Sequence, residues 1–491
     1  MKNRKLSNGA ATNSMLLMLI QVVTTLMGLI VAKLLAVNFS LEEYGTYSQA
    51  LLVTTTATSL SILGLTNATN YFYNKTTNAD IQKKYISTIF AIQYLVGALC
   101  YVGIIVFRGA ISRYFSNDAL RNVLLIVAAT PCLTNLIAMY QNLFVSIGQA
   151  RRIAARNLVV SCMRLIAVSL ACFLTKDIVT VLRAILLMDI GQTFYFARMF
   201  GKIKFTMRVK NADFALVREI LSFSIPMAVY VLTNSLTRDI DKYVISAFSD
   251  TQTLAIYTNA AKILPFDMLT SSLITVLVPI VTRLINNKQY NEAQDVFKLY
   301  LRIGYTLTGI FVGGAIAVAN PLMIFLYDEK YISGLPIFVV YLFIDLIRFA
   351  NVTTVLSGAG KTKVLMRISV LILASNAVFN VISFKMLGLI GPAITTLVLT
   401  VGMTGLLLYY GAKQIKSTFL DLFDWKEMLL MASEILLFGV IIHFLSSYLQ
   451  NVLVLPLFFV LAISYGLYLI ALLGLNGKRI IATLKKMNTY K

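Results

Sequence analysis

Residues 14–36 read SMLLMLIQVVTTLMGLIVAKLLA, a run in which Lys33 is the one charged side chain. A helix rises about 1.5 Å per residue, so about 20 mostly apolar residues cross a hydrocarbon core of about 30 Å. The run is too long for the core of a secretory signal peptide, which has roughly 7–15 apolar residues. It therefore predicts a membrane-spanning helix at the start of the chain.

The composition of the whole chain agrees with a membrane location. Hydrophobic residues make up 58% of the 491 positions and charged residues 13%, whereas soluble domains carry roughly 25% charged residues. The net charge of +22 comes mainly from Lys and Arg in short links between apolar runs, which is typical of cytoplasmic loops and does not indicate nucleic acid. The four cysteines lie inside apolar runs without metal-ligand spacing. We predict no metal, disulfide or cofactor.

Similar apolar runs follow one another along the chain. They occupy residues 14–36, 46–65, 86–107, 119–145, 157–175, 178–198, 220–247, 254–282, 300–327, 333–357, 365–388, 389–412, 427–449 and 452–475. The ten-residue alternating segments that a membrane β-barrel would need are not evident. The predicted fold class is an all-α integral membrane protein of about 14 transmembrane helices.

The distribution of Lys and Arg predicts the orientation of these helices. Most of the 43 Lys and Arg residues fall in every second link and at the two termini, and the richest link covers residues 198–218. Because cytoplasmic loops carry an excess of positive residues, this pattern places both termini in the cytoplasm. An even number of helices requires the same arrangement.

Short segments recur at a nearly constant offset. KLLAVNFS at 33–40 resembles KYVISAFS at 242–249, YSQA at 47–50 resembles YTNA at 257–260, and GQAR at 148–151 resembles GKTK at 360–363. The offsets of about 210 residues predict two parallel six-helix lobes related by a pseudo-twofold axis along the membrane normal. The predicted domains are an N-terminal lobe at 1–198, a basic cytoplasmic linker at 199–219, a C-terminal lobe at 220–412, and two further helices with a basic tail at 413–491.

Four local motifs, in this order and spacing, resemble a known family. They are EYGTYS at 43–48, DKYVI at 241–245, IYTNAA at 256–261 and GAGKTK at 358–363. Together with the paired lobes, they resemble the polysaccharide branch of the multidrug/oligosaccharidyl-lipid/polysaccharide exporter superfamily, across essentially the whole chain.

The resemblance implies a flippase of the bacterial cytoplasmic (inner) membrane. Its substrate would be an undecaprenyl-diphosphate-linked oligosaccharide, such as an O-antigen or capsule repeat unit of lipopolysaccharide or polysaccharide biosynthesis, moved from the inner to the outer leaflet by alternating access. The implied partners are this glycan substrate, membrane lipid, and the polymerase and chain-length regulator of the same pathway. Such a protein is not an enzyme.

Charged side chains within the predicted helices are the candidate site residues, because placing a charge in the membrane costs free energy. An anionic diphosphate requires positive charge along its path, and Arg contacts phosphate oxygens in a bidentate manner. The candidate substrate-binding residues are Arg348, Lys33, Lys242, Arg238, Lys262 and Arg164. Candidates for ion coupling or charge pairing are Asp241, Asp239, Asp267 and Asp345.

A purely structural role is the alternative for each of these charges. Arg238, Asp241 and Lys242 are spaced to pair on one helix face, and Asp345 and Arg348 are i, i+3 neighbours that could neutralise each other. Lys33 and Lys242 could extend to the headgroups from the outer ends of their helices. Arg348 is predicted about 15 Å deep, too far from the headgroups for this.

Two other classes of function stay open. A drug or cation antiporter of the same superfamily would be expected to have fewer basic residues in its helices and an acidic residue for coupling. A membrane-embedded glycosyltransferase or polymerase is less favoured, because such enzymes generally present a large external loop with acidic residues, and the predicted external loops are short.

Overall fold

The computed structural model describes the chain except residues 1, 208, 268–276, 279, 351 and 489–491. Over this described part, the regular elements are α-helices and short 3-10 turns. The chain divides into an N-terminal unit, Met1–Ala255, and a C-terminal unit, Ile256–Lys491. This division is based on contacts between residues, whereas the predicted lobes are based on the repeated sequence segments. The lobe boundaries therefore stay a prediction.

The helices have the length and apolar character of membrane spans. Within the described residues, twelve helical stretches are long and apolar enough to cross a bilayer. Large apolar side chains such as Leu174, Leu187 and Met386 point outward and are exposed, as expected for side chains that face lipid. The chain is therefore a multi-pass helical membrane protein.

The predicted number of fourteen helices is approached but not fully tested. The stretch Lys363–Gln414 has 52 residues, and it divides at Gly388 (φ +64°) into helices of 26 and 24 residues. Each of these exceeds the roughly 20 residues that one crossing requires. The predicted helix at 254–282 runs through 268–276, outside the described residues, so the count of fourteen stays a prediction.

Ten helices begin in the N-terminal unit. They are α1 Lys2–Asn38, α2 Leu41–Ser61, α3 Leu65–Asn74, α4 Ala79–Tyr114, α5 Asp118–Val127, α6 Thr130–Ser146, α7 Ala150–Leu174, α8 Ile178–Ile203, α9 Val217–Phe248 and α10 Thr251–Ala260. An aromatic core that includes Phe72, Phe90, Phe144, Phe196 and Phe200 joins α3, α4, α6 and α8. Helix α9 packs against α2 and α3.

The bend between α2 and α3 has a clear local cause. Leu63 and Gly64 have positive φ angles of 46° and 68°, a region that glycine adopts without steric cost. A Cβ at Gly64 would also lie 2.3 Å from the carbonyl oxygen of Ser224 in α9. Glycine at this position thus allows both the bend and the close approach of α9.

Besides the helical residues 280–286, eight helices have both ends described in the C-terminal unit. They are α11 Tyr290–Ala317, α12 Ala319–Tyr327, α13 Leu335–Ile347, α14 Thr354–Gly358, α15 Thr362–Leu387, α16 Gly391–Gln414, α17 Trp425–Asn451 and α18 Leu457–Asn488. Helix α11 lies buried at the centre of this unit, where its glycine-containing face contacts α17 and α18. A Cβ at Gly313 would lie 2.5 Å from Ile435 of α17 and 2.6 Å from Tyr468 of α18. Small residues at such contacts let membrane helices approach closely.

Two helices that the apolar pattern predicts as continuous are interrupted. The prediction of one helix over 333–357 is wrong, because α13 ends at Ile347 and α14 begins only at Thr354. The prediction of one helix over 254–282 is also wrong, because α10 ends at Ala260 and is followed by a 3-10 turn at Pro265–Asp267. Proline at 265 lacks an N–H group, and it disfavours the helical conformation of the residue before it.

Candidate functional site

A hydrogen bond to one buried carboxylate connects the two places where the helices are interrupted. Oδ2 of Asp345, in the last turn of α13, accepts a hydrogen bond of 3.0 Å from the backbone N–H of Leu264, which follows the end of α10. Asp345 is only 4% exposed. A backbone donor freed by a helix break needs a partner where water is absent, and an ionised acceptor gives a strong hydrogen bond. The Leu264–Asp345 bond is therefore the structural centre of this region.

Arg348 begins the second interruption. Its side chain is exposed, and the structure gives it no hydrogen bond or ion pair with any described residue. The alternative that Arg348 neutralises Asp345 is wrong, since these two described residues form no ion pair, and the carboxylate of Asp345 bonds to Leu264 instead. Among the described residues, the guanidinium group therefore makes no contact of this kind that holds the fold.

The depth of Arg348 must be counted from the other end of its helix. The 15 Å estimate assumed a continuous helix to residue 357, which the break at 348–353 contradicts. Helix α13 has 13 residues before Arg348, a rise of about 20 Å. If α13 starts at the outer surface as predicted, Arg348 lies in the inner half of the hydrocarbon core.

Lys262 lies in the first interruption, two residues before Leu264, and it is half-buried outside any helix. The bond between Leu264 and Asp345 thus brings both basic residues, Lys262 and Arg348, to one junction of the C-terminal unit. Asp267 ends the adjacent 3-10 turn, but its side chain lies outside what the structure describes. Its predicted role is untested.

The charges of α9 form an ion cluster in the N-terminal unit. Nζ of Lys242 lies 3.0 Å from Asp239 and 3.6 Å from Asp241, and it also donates to the carbonyl oxygen of Arg238 at 2.9 Å. Lys242 is only 12% exposed as a side chain, so it is held locally and does not extend to the headgroups. The predicted set was Arg238, Asp241 and Lys242, whereas the ion pairs in the structure join Lys242 to Asp239 and Asp241. The side chain of Arg238 is exposed.

Arg164 and Lys33 lie on the packed pair α7 and α1. Arg164 is exposed on α7. Lys33 is half-buried in the last two turns of α1, which runs along α7. These two candidates therefore belong to the same part of the N-terminal unit.

Sequence reasoning missed Arg156, because it lies in a basic link. Arg156 donates a short hydrogen bond to Gln192, and its guanidinium carbon lies 4.5 Å from the ring centre of Phe196. Gln192 in turn donates to Asp189 at 3.2 Å. The sequence offered one indication of this cluster. The spacing of Asp189, Gln192 and Phe196 places all three residues on one face of α8.

Lys75, which follows α3, pairs with the first turn of α9. Its ammonium group forms a short ion pair with Glu219 and a 3.3 Å hydrogen bond to the hydroxyl of Tyr85. These hydrogen bonds raise the pKa of Lys75 above its usual value. Asp213 of the linker lies 3.8 Å from Lys84. Both pairs are exposed and contribute little stability individually, but they fix where the linker meets α3 and α4.

Long apolar helices, interrupted at basic residues, define a multi-pass helical membrane protein. Solved structures share this fold. The lipid II flippase MurJ in an inward closed conformation matches with a TM-score of 0.74 at 16% identity, over 95% of this chain and 100% of that one. An inward-facing multidrug resistance MATE family transporter of the MOP superfamily matches with a TM-score of 0.65 at 12% identity, over 80% and 94%. The Vibrio cholerae MATE transporter VcmN in the bent form matches with a TM-score of 0.54 at 14% identity, over 84% and 99%.

The chain belongs to the family described as polysaccharide biosynthesis protein, which matches residues 10–285. No curated protein matches significantly. The predicted polysaccharide family is therefore confirmed, and the all-helical membrane fold is the one that the MurJ and MATE structures share.

Proposed function

We propose that this protein is a flippase for an undecaprenyl-diphosphate-linked oligosaccharide, which it moves from the inner to the outer leaflet of the bacterial cytoplasmic membrane by alternating access. One observation carries the proposal: Arg348 stands exposed at a helix break and has no ionic partner among the described residues. An exposed guanidinium group inside a membrane span costs free energy, so it is expected to serve an anion that is present only part of the time.

The junction of the C-terminal unit suits a diphosphate. Arg348 offers a planar fork of N–H donors, and Lys262 offers a compact positive charge. The Oδ2 atom of Asp345 already accepts a hydrogen bond from the backbone N–H of Leu264. Membership of the polysaccharide biosynthesis family supports a glycan cargo. Similarity to the structure of MurJ, a lipid II flippase, supports a lipid-linked one.

The N-terminal unit also carries positive charge within its spanning helices. Arg238 and Arg164 are exposed within spanning helices, while Lys242 is balanced by Asp239 and Asp241. We assign Arg238 and Arg164 to cargo binding, with Lys33 and Lys242 in support. A flippase breaks no covalent bond, so this function needs no nucleophile and no acid–base pair.

A drug or cation antiporter is the second candidate, and two buried acids favour it. Asp241 is 1% exposed and Asp345 is 4% exposed, and buried carboxylates of this kind are common in proton or cation coupling. The similarity to MATE structures fits this alternative as well. The exposed arginines argue for an anionic cargo. An inside-negative potential favours outward movement of an anion and opposes outward movement of a cation, so the two candidate functions respond differently to the membrane potential.

Outward flipping should accelerate when an inside-negative potential is imposed on proteoliposomes at fixed ion gradients. Such a potential favours outward movement of an anion by about 2.3 kcal/mol per charge per 100 mV. The measurement is the initial rate at which labelled lipid-linked oligosaccharide becomes accessible on the outside. A rate that ignores the potential but follows a sodium or proton gradient would favour the antiporter.

Topology gives an independent check of the predicted orientation. Reporter fusions at Gln149 and Lys361, which follow α6 and α14, should report the cytoplasm. Fusions at Asn117 and Asp328 should report the outside. We expect both termini in the cytoplasm. If the reporters at Gln149 and Lys361 were found on opposite sides of the membrane, the prediction of two parallel lobes would be wrong.

A further inference from the structure

An elongated groove of 690 Å³ opens on the N-terminal unit between α2 and α4. Leu60 of α2, Leu99, Gly103 and Phe107 of α4, and Tyr243 of α9 are among the residues that line this α2–α4 groove. On α4 the lining extends from Val96 to Tyr114, about 27 Å along the helix axis. The groove is therefore almost as long as the hydrocarbon core is thick.

The hydroxyl groups of the lining are occupied by bonds within the protein. The hydroxyl of Tyr243 contacts that of Thr56 at 2.7 Å and donates to the carbonyl oxygen of Leu52 at 2.9 Å. Tyr114 donates to the carbonyl oxygen of Tyr243 at 3.1 Å, and Ser61 donates to that of Ala57 at 2.7 Å. The surface offered to an occupant is hydrocarbon, and a groove of this kind within a bilayer fills with hydrocarbon in preference to water.

The groove ends where the ion cluster of α9 begins. Tyr243 lines the groove, and Lys242, the next residue, is bound to Asp239 and Asp241. Arg238, whose carbonyl oxygen accepts a bond from Lys242, keeps its side chain exposed beside this balanced cluster. A lipid with a long apolar chain and an anionic head suits both the groove and this guanidinium group. Phospholipids and polyprenyl diphosphates both have this build, but a groove about 27 Å long favours the longer polyprenyl chain.

We propose that the α2–α4 groove holds part of the polyprenyl chain of the cargo while the diphosphate and glycan cross, an inference that rests on the proposed flippase function. The groove spares the protein from moving the whole lipid through its interior. It also gives a basis for selecting a polyprenyl carrier by its chain, separate from recognition of the head.

Gly103 offers a direct way to block the groove. A Cβ placed on Gly103 would meet nothing within 4 Å, and the same holds for Gly109 on α4, which does not line the groove. Gly103→Trp should therefore fold and fill the groove, and Gly109→Trp is its matched control. In proteoliposomes, Gly103→Trp should slow flipping of an undecaprenyl-diphosphate-linked oligosaccharide by about tenfold, because apolar contacts with the chain are lost. Flipping of the same glycan on a two-isoprene chain should be unaffected.

The results separate the two proposals. Wild-type protein that flips neither substrate would contradict the flippase function itself. Wild-type protein that flips both, with Gly103→Trp and Gly109→Trp behaving alike, would overturn the groove proposal and leave the function intact.

Photo-crosslinking in cells tests occupancy without a transport assay. A photoreactive amino acid would replace Phe107, which lines the groove, or Val106, its equally exposed neighbour outside it (62% and 66% exposed). Mass spectrometry should find polyprenyl diphosphate species enriched at position 107 over position 106. Phospholipid alone at both positions, or a crosslink to a second copy of the chain, would refute the proposal.

Discussion

Arg348→Ala should reduce export of the glycan by about 10- to 100-fold while the amount of protein in the membrane stays unchanged. A hydrogen bond to a charged group contributes about 1.5–3 kcal/mol, and each 1.4 kcal/mol is a tenfold change in an equilibrium. Abundance should hold because the described structure gives the side chain no partner to lose. Surface polysaccharide and an immunoblot of the membrane fraction, measured on the same cells, provide the two readouts.

Two further variants sharpen this test. Arg348→Lys should recover export only partly, because Lys keeps the charge but lacks the planar fork. Arg367→Ala, which removes another exposed arginine of the C-terminal unit, on α15, is the matched control and should export normally. If Arg348→Ala instead lowers abundance and export in parallel, Arg348 is a structural residue and the site assignment is wrong.

The membrane spans could be predicted from sequence because hydropathy is a local property. Each crossing needs about 20 mostly apolar residues in succession, and runs such as 14–36, 157–175 and 427–449 satisfy this without reference to the rest of the fold. The corresponding helices α1, α7 and α17 are present, with ends extended by several residues. The order of four loose motifs was also enough to indicate the superfamily.

The helix interruptions could not be predicted in the same way. Residues 348–353 read RFANVT and contain neither Gly nor Pro, so no local breaker marks the end of α13. What holds this region is a bond from Asp345 to a backbone N–H 81 residues earlier in the chain. Pro265 was a visible signal for the other break, but proline is tolerated in membrane helices when neighbours satisfy the backbone.

The candidate charges could be found from sequence, but their roles could not be separated. Lys242 and Arg348 are both basic residues within predicted spans. The structure distinguishes them: Lys242 is bound to two carboxylates, and Arg348 is exposed without an ionic partner in the described residues. Spacing alone favoured a pair between Arg348 and Asp345, which the structure does not form. Side-chain pairing depends on where neighbouring helices lie, and that information is tertiary.

Asp345→Ala should lower the amount of protein several-fold, unlike Arg348→Ala. The substitution removes the acceptor for the Leu264 N–H, and a buried donor left without a partner costs about 1–3 kcal/mol, enough to change cellular abundance. Asp345→Asn keeps an acceptor oxygen and should retain most of the protein. The exposed Glu329 of the same unit supplies the control, and Glu329→Ala should leave abundance unchanged. The measurement is an immunoblot of membranes together with the thermal unfolding of purified protein.

The double variant Arg348→Ala/Asp345→Ala decides how these two residues are related. If they neutralised each other, removing Asp345 would relieve an uncompensated charge and restore the protein lost in Arg348→Ala. In the structure, Asp345 bonds to Leu264 and forms no ion pair with Arg348, so the double variant should combine the two defects: low abundance from Asp345→Ala and low export per molecule from Arg348→Ala. Recovery of both abundance and export in the double variant would show that Arg348 serves only as a partner for the carboxylate, and the C-terminal junction would no longer be a site for the diphosphate.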